Sequence, residues 1–364
     1  LKQLSENIAN FFIELERVYQ SKTPFVVFRK PNEDLVTAFV QKTQELQELK
    51  SYDEAGFVFA PFNSKEQKIF FPFDECDSFS IKIRDNELLE INEIQAKKPK
   101  FDLIEVSDSS KEKHIAIVQN AIDFIKSNNA QKIVLSRKET FEIANLNVLD
   151  TFKKMLMNYK NAFVYLWFHP EVGLWMGATP EKLLTVEKGN FKTMALAGTQ
   201  KYTGTTNVVW QNKEKQEQKY VTEFILNNLE ESVENLKVSE PFTVQAGNLV
   251  HLRTDISGKL KSDDSLESII NSLHPTPAVC GLPKIVAAAF ILQNEGYHRA
   301  YYSGFLGELN INNASNLFVN LRCMQLENKV ASIYVGGGIT ADSIPENEWE
   351  ETVSKTEVMR KVLF

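Results

Sequence analysis

The chain has 364 residues, 43% of them hydrophobic, and 41 basic against 48 acidic side chains leave a net charge of −7. That length can bury a large core and sets an expectation of two domains or one large one. The acidic balance, with no block of Lys or Arg, excludes an ordinary nucleic-acid groove, which needs clustered positive charge. The longest apolar run, 285–292, falls far short of the ~20 residues of a membrane helix, and no signal-peptide pattern opens the chain. Cys76, Cys280 and Cys323 are widely spaced and the five histidines are scattered. They offer neither a disulfide framework nor a zinc motif, which sets the expectation of a cytoplasmic protein without a soft-ligand metal.

Taken in chain order, 56–62 and 68–73 read as strands around a polar turn. Residues 1–105 are expected to form the N-terminal part of one continuous fold, with little motif content. The stretch 97–113 is charged but lacks the Gly/Ser composition of a flexible linker, and the chemistry is expected in 106–364. Ile115, Val118, Ile122 and Ile125 mark one face of a helix. In the strand that follows, Lys132 to Arg137, alternation sends Lys132, Val134 and Ser136 to one side and Ile133 and Leu135 to the other. Further strands are expected at 162–167, 173–176, 317–325 and 329–335, with helices near 213–235, 282–293 and 345–363. The mixture predicts an α/β or α+β fold with large sheets flanked by helices.

Two pairs of acids stand out. Glu214 and Glu217, and Glu348 and Glu351, lie three apart on predicted helices, so each pair faces one way. Glu217 shares its face with Val221 and Phe224 and points inward, where a lone charge costs several kcal/mol. Either cations answer these acids or a metal does, and oxygen-only ligands suit Mg²⁺. The bland alternative is a solvated surface, with Lys213, Lys215 and Lys219 beside the first pair and a Glu351–Lys355 surface ion pair at the second.

Other polar residues carry similar alternatives. Lys132 reads by default as a strand-edge lysine reaching for water, but a desolvated lysine becomes a usable general base. Glu181 reads as an ordinary helix-start acid, with Thr179 capping and Pro180 in the first turn. The glycines at 336–338 follow a strand and read as a tight turn or as a place where amides approach an anion. Arg322, inside an apparent apolar strand, calls for a carboxylate.

In order and spacing these segments resemble the chorismate-utilising enzymes, and within them the isochorismate-forming type. The resemblance is carried by Lys132-Ile-Val-Leu-Ser-Arg137, Gly177-Ala-Thr-Pro-Glu-Lys-Leu183, Leu196-Ala-Gly-Thr199, Lys213-Glu-Lys-Gln-Glu217, Leu273-His-Pro-Thr-Pro-Ala-Val-Cys-Gly-Leu-Pro-Lys284, Tyr302-Ser-Gly-Phe-Leu-Gly307, Leu321-Arg-Cys323, Gly336-Gly-Gly-Ile339, and Glu348-Trp-Glu-Glu-Thr352 with Lys355. It implies a single large fold of two packed β-sheets, helices outside and a deep cleft. It further implies that Glu217 and Glu351 bind Mg²⁺ directly, that Glu214 and Glu348 assist through water, and that the metal holds the ring carboxylate of chorismate. Arg322 and the amides near Gly336 and Gly337 would hold the enolpyruvyl carboxylate, with Gly198, Thr199 and Lys355 also at the substrate.

Lys132 matches the base that activates water for attack at ring carbon 2, and Glu181 the acid that protonates the hydroxyl leaving carbon 4. Ala278, in Thr276-Pro277-Ala278, matches the isochorismate-forming type, whereas ammonia-using relatives typically carry Ala-Gly-Thr there and lack the base lysine. Chorismate and isochorismate would be the partners, with no glutaminase subunit. The alternatives are a salicylate synthase, which also expels pyruvate, and a non-catalytic chorismate-binding subunit. Two departures from the family pattern are Gln218, where His is common, and Gln200, where Arg is common.

Overall fold

The computed structural model describes residues 3–4, 7–84, 87, 108–143, 146–246, 249–261, 266–327 and 329–363. The expected boundary near residue 105 lies outside them. Two sheets dominate. The first runs in the order β1 (Gln3–Leu4), β6 (Cys76–Lys82), β3 (Leu35–Gln41), β2 (Phe25–Arg29), β8 (Phe163–His169), β9 (Gly173–Thr179), β18 (Cys323–Glu327), β19 (Val330–Ile339), β7 (Lys132–Glu142), β15 (Gly281–Leu282). The second runs β12 (Val233–Val238), β14 (Leu249–Leu260), β11 (Asn190–Lys201), β10 (Lys182–Glu187), β17 (Ala314–Val319), β16 (Phe305–Ile311), β4 (Gly56–Ala60), β5 (Ile69–Pro72), with β13 (Phe242–Ala246) also on β14. The ladders are antiparallel except for the short β1–β6 pair. The expected pair of packed sheets is therefore present, in its α+β form, and strands from the first 84 residues enter both sheets.

The sheets face each other through an aromatic layer. Phe28, Phe163, Tyr165, Trp167 and Trp175 of the first sheet meet Phe57, Phe59, Phe71 and Phe318 of the second. Trp167 lies 4.7 Å from Phe59 and 5.5 Å from Phe71, ring centre to ring centre. Helices cover the outer faces. On the first sheet lie α1 (Ile8–Gln20), α3 (Val148–Asn158) and the end of α7 (Pro345–Leu363), while α2 (Asp108–Lys126) and α6 (Lys284–Asn294) cover β7. On the second lie α4 (Asn212–Leu229) and α5 (Leu266–Leu273). Both faces of the central strands are covered, so β2, β4 and β8 carry unbroken hydrophobic runs rather than alternation.

The expected strand at 317–325 is a correction. It is two strands in different sheets: β17 ends at Val319, and β18 begins at Cys323. The chain crosses between sheets at Asn320–Arg322, with Arg322 at φ 48°. An apolar run on both sides of a crossing looks like one strand in sequence, because each half is buried in its own sheet. The aromatic layer holds the sheets together, so Trp167→Ala should cost about 3–5 kcal/mol through the cavity it leaves. Urea unfolding followed by far-UV circular dichroism checks this; a loss below 1 kcal/mol would contradict it.

Candidate active site

A second crossing lies beside the first. β9 belongs to the first sheet and β10 to the second, and Pro180–Glu181 joins them. Glu181 is thus not a helix-start acid: Thr179 ends a strand, and Lys182 begins the next. The two crossings are tied by backbone hydrogen bonds, Val319 N to Glu181 O at 3.0 Å and Ala178 N to Arg322 O at 3.0 Å. Together they place a carboxyl and a guanidinium in the wall of one cavity.

That cavity has an empty volume of about 660 Å³ with its open mouth included. Glu181, Gly198, Thr199, Glu217, Ala278, Arg322, Gly336, Gly337 and Lys355 all line it. Glu214, Glu348 and Glu351 instead line an adjoining outer groove. Lys132 is fully buried behind the wall, with Nζ 2.9 Å from Glu217 Oε1. The pair is an ion pair rather than an aligned hydrogen bond.

Glu181 is 4% exposed. Burial pushes its carboxyl up to about 7, against the opposing pull of Lys132, Arg322 and Lys355. Near neutral pH it can therefore hold a proton and give it up. Arg322 lacks the carboxylate its sequence context called for. Its Nη2 lies 3.3 Å from His251 Nε2, and its Nη1 is buried without a hydrogen bond. Burial lowers its pKa, with Glu351 and Glu181 among the charges opposing that shift.

His251 is held down to about 3 by burial first and Arg322 second, so it is neutral. Its Nδ1 lies 2.9 Å from Gly198 O. A carbonyl only accepts, so Nδ1 carries the proton and Nε2 is left to accept from Arg322. In the sequence His251 is one of five scattered histidines. The available signal was its place in an apolar strand, where an unpartnered imidazole would be costly.

The glycines at 336–338 lie within β19, not in a turn after it. β18 stops at Cys323, opposite Tyr334, so beyond that point β19 pairs only with β7. On β7 the amides of Val134 and Ser136 are committed to Cys280 O and Glu295, away from β19. Antiparallel alternation then makes Leu135–Gly337 the bonded pair and turns the polar groups of Gly336 and Gly338 to the open edge. Consistently, Gly336 O accepts from Lys355 Nζ at 2.8 Å.

Gly338 is crowded by the ends of two side chains. A Cβ there would lie 2.2 Å from Glu217 Oε1 and 2.8 Å from Lys132 Cε. At Gly337 a Cβ would lie 3.5 Å from Glu351 Oε1 and 3.6 Å from Glu348 Oε2, ordinary contacts.

The four acids come from opposite sides: α4 packs on β11 of the second sheet, and α7 on β19 of the first. Arg137 of β7 orients α7, bonding Thr352 Oγ1 at 2.8 Å and stacking 4.4 Å over Trp349. Three of the acids are answered by lysines: Glu217 by Lys132, Glu348 by Lys213 at 2.5 Å and Glu351 by Lys355 at 2.6 Å. Glu214 caps its helix, accepting from Gln211 N at 3.0 Å. Among the described residues no three His, Cys, Asp or Glu side chains stand close enough together to hold a metal ion. One carboxylate oxygen is nevertheless left over. Glu348 is 2% exposed, and its Oε2 has no well-formed hydrogen bond, although the Ser343 hydroxyl is near. An all-carboxylate set with an orphaned buried oxygen fits Mg²⁺ in donor chemistry.

The two departures from the family pattern have structural partners. Gln218 is buried and donates to Thr222 Oγ1 at 2.9 Å and Thr254 Oγ1 at 2.6 Å, tying α4 to β14. Gln200 Nε2 donates to Val209 O at 3.0 Å, anchoring the loop ahead of α4.

A family model for chorismate binding enzymes matches residues 36–364. The chain belongs to the chorismate binding enzymes. It is 28% identical over 257 residues to the salicylate biosynthesis isochorismate synthase of Pseudomonas aeruginosa, covering 68% of this chain and 54% of that one. It is 27% identical over 278 residues to anthranilate synthase component 1 of Bacillus pumilus, covering 73% and 53%. The chain thus matches just over half the length of these curated relatives. In fold it is similar to a crystal structure described as a 2,3-dihydroxybenzoate-specific isochorismate synthase of Bacillus anthracis, with TM-score 0.80 and 22% identity over 96% of this chain and 98% of that one. No helix among the described residues is long and apolar enough to cross a membrane.

Two outcomes follow from this geometry. Gly338→Ala should displace Glu217 and lower turnover at least ~10-fold, while Gly337→Ala keeps most of it; steady-state kinetics on both variants, with equal losses as the contrary result, checks the pair. Glu181 has a folded pKa raised above its unfolded value, so the folded form holds the extra proton. Its contribution to stability is full below about pH 4.5 and is lost as pH rises toward 7, by up to ~3 kcal/mol. Glu181→Gln should flatten that fall in denaturant titrations between pH 5 and 8; an unchanged pH slope would show that Glu181 is ionised throughout.

Proposed function

We propose that this chain is an isochorismate synthase, converting chorismate reversibly to isochorismate by addition of water at ring carbon 2 and loss of the hydroxyl at carbon 4. The observation that carries the reading is the pairing of a buried lysine behind one part of the cavity with a carboxyl held near pH 7 in its wall. A general base and a general acid acting at different ring carbons require two such groups. The partly unpartnered Arg322 and the open-edge amides of Gly336 and Gly338 suit the two negative charges of chorismate, since a buried guanidinium without a carboxylate is completed by an anionic ligand.

In this reading Lys132 takes a proton from water attacking carbon 2, and Glu181 delivers one to the departing oxygen. His251 keeps Arg322 turned toward the enolpyruvyl carboxylate. Glu217 and Glu351, with Glu214 and Glu348 behind them, would hold Mg²⁺, which when bound draws electron density toward the ring carboxylate. Lys132 is free to act as a base once Glu217 turns to another cation.

The relatives divide between isochorismate synthases and anthranilate synthase component 1 at similar identity, so the choice rests on residues. Lys132 and Ala278 match the isochorismate-forming pattern and call for water rather than ammonia, with no glutaminase partner.

Incubation of the purified chain with chorismate and Mg²⁺, with products resolved by chromatography, tests the proposal. Isochorismate should accumulate, and Lys132→Ala should lower the rate by ~10²-fold or more. Salicylate with pyruvate, anthranilate in the presence of ammonia, or an active Lys132→Ala variant would each overturn it.

A further inference from the structure

Lys213 takes no part in the chemistry proposed above, yet it stands among the acids. It lies in the first turn of α4, one residue before Glu214, and reaches across to α7, where Nζ lies 2.5 Å from Glu348 Oε1. Glu351 and Glu217 also act on it electrostatically, so one ammonium faces acids of both helices. Lys132 and Lys355 are each engaged elsewhere, with Glu217 and with Glu351. Glu348 needs such an answer: it is 2% exposed, lies one helical turn from Glu351, and leaves Oε2 without a well-formed hydrogen bond. Two carboxylates this close in a partly dry site repel, and a buried one without a cation is costly.

We infer that Lys213 is a tethered counter-ion that holds the acids of α4 and α7 together in the metal-free protein and competes with a divalent cation for Glu348. This rests on the metal role proposed above. Lys213 is 24% exposed at the outer groove, so its ammonium has water to move into when Glu348 turns to another cation. The groove also contains Asp342 and Glu214, which offer that ammonium other anionic neighbours.

The test is isothermal titration of Mg²⁺ into the purified full chain, with thermal unfolding with and without Mg²⁺, on wild type, Lys213→Gln, Lys213→Met and Lys213→Arg. Lys213→Met keeps the apolar stem if Lys213→Gln fails to fold. The neutral variants should bind Mg²⁺ about tenfold more tightly, as expected for removing one competing ion pair. Their metal-free form should melt below metal-free wild type, with a larger upward shift on adding Mg²⁺, while Lys213→Arg tracks wild type. Neutral variants with unchanged or weaker affinity than a binding wild type would overturn the role of Lys213 alone. A wild type showing neither heat nor thermal shift with millimolar Mg²⁺ would overturn the metal role and this inference together.

Discussion

Two neighbouring crossings between the sheets, at Pro180–Glu181 and Asn320–Arg322, are the constraint on which the cavity depends. The aromatic layer keeps the sheets apart by a full set of side chains, so a polar residue in mid-strand would be buried among rings. A crossing breaks that rule locally. It lets Glu181 and Arg322 leave the ladder and face a cavity, and the two hydrogen bonds between the crossings keep them in register. The left-handed backbone of Arg322, uncommon for a residue with a side chain, is held by this arrangement.

Charge is the second organising factor. The site concentrates acids from two helices and lysines from three elements, several of them buried, so each charge depends on its neighbours. Glu217 illustrates the balance. Burial alone would raise its pKa, yet Lys132 and Lys213 bring it below the ordinary carboxylate value. Glu181 sits farther from any one cation, and burial wins. Two glutamates in one site are thereby pushed in opposite directions by environment alone, Glu181 up and Glu217 down. Gly338 makes room for this, since a Cβ there would crowd both Glu217 and Lys132.

Much of this was legible in the residues. The inward direction of Lys132 and Val134 follows from strand alternation, and the inward direction of Glu217 from its helical face with Val221 and Phe224; all of these are buried or nearly so. Helix α7 spans the expected 345–363 because Pro345 starts it, acids fill its first turn and Arg360 and Lys361 its last. What was not legible was partnership across the fold. Lys213 looked like part of a solvated face, His251 like a scattered histidine and Glu181 like a helix start, because each depends on a residue distant in sequence or on a change of sheet.

The ordered motifs of the sequence carried the family resemblance; by itself the sequence determined most of the elements and the inward faces of Lys132 and Glu217 within them. These are local properties, set by periodicity, capping and spacing. The tertiary structure alone decided how burial and neighbouring charge push Glu181 up and Glu217 down, which lysine answers which carboxylate, and how closely Glu217 and Lys132 crowd Gly338. Those outcomes depend on desolvation and on distances of a few ångströms between segments that only packing brings together.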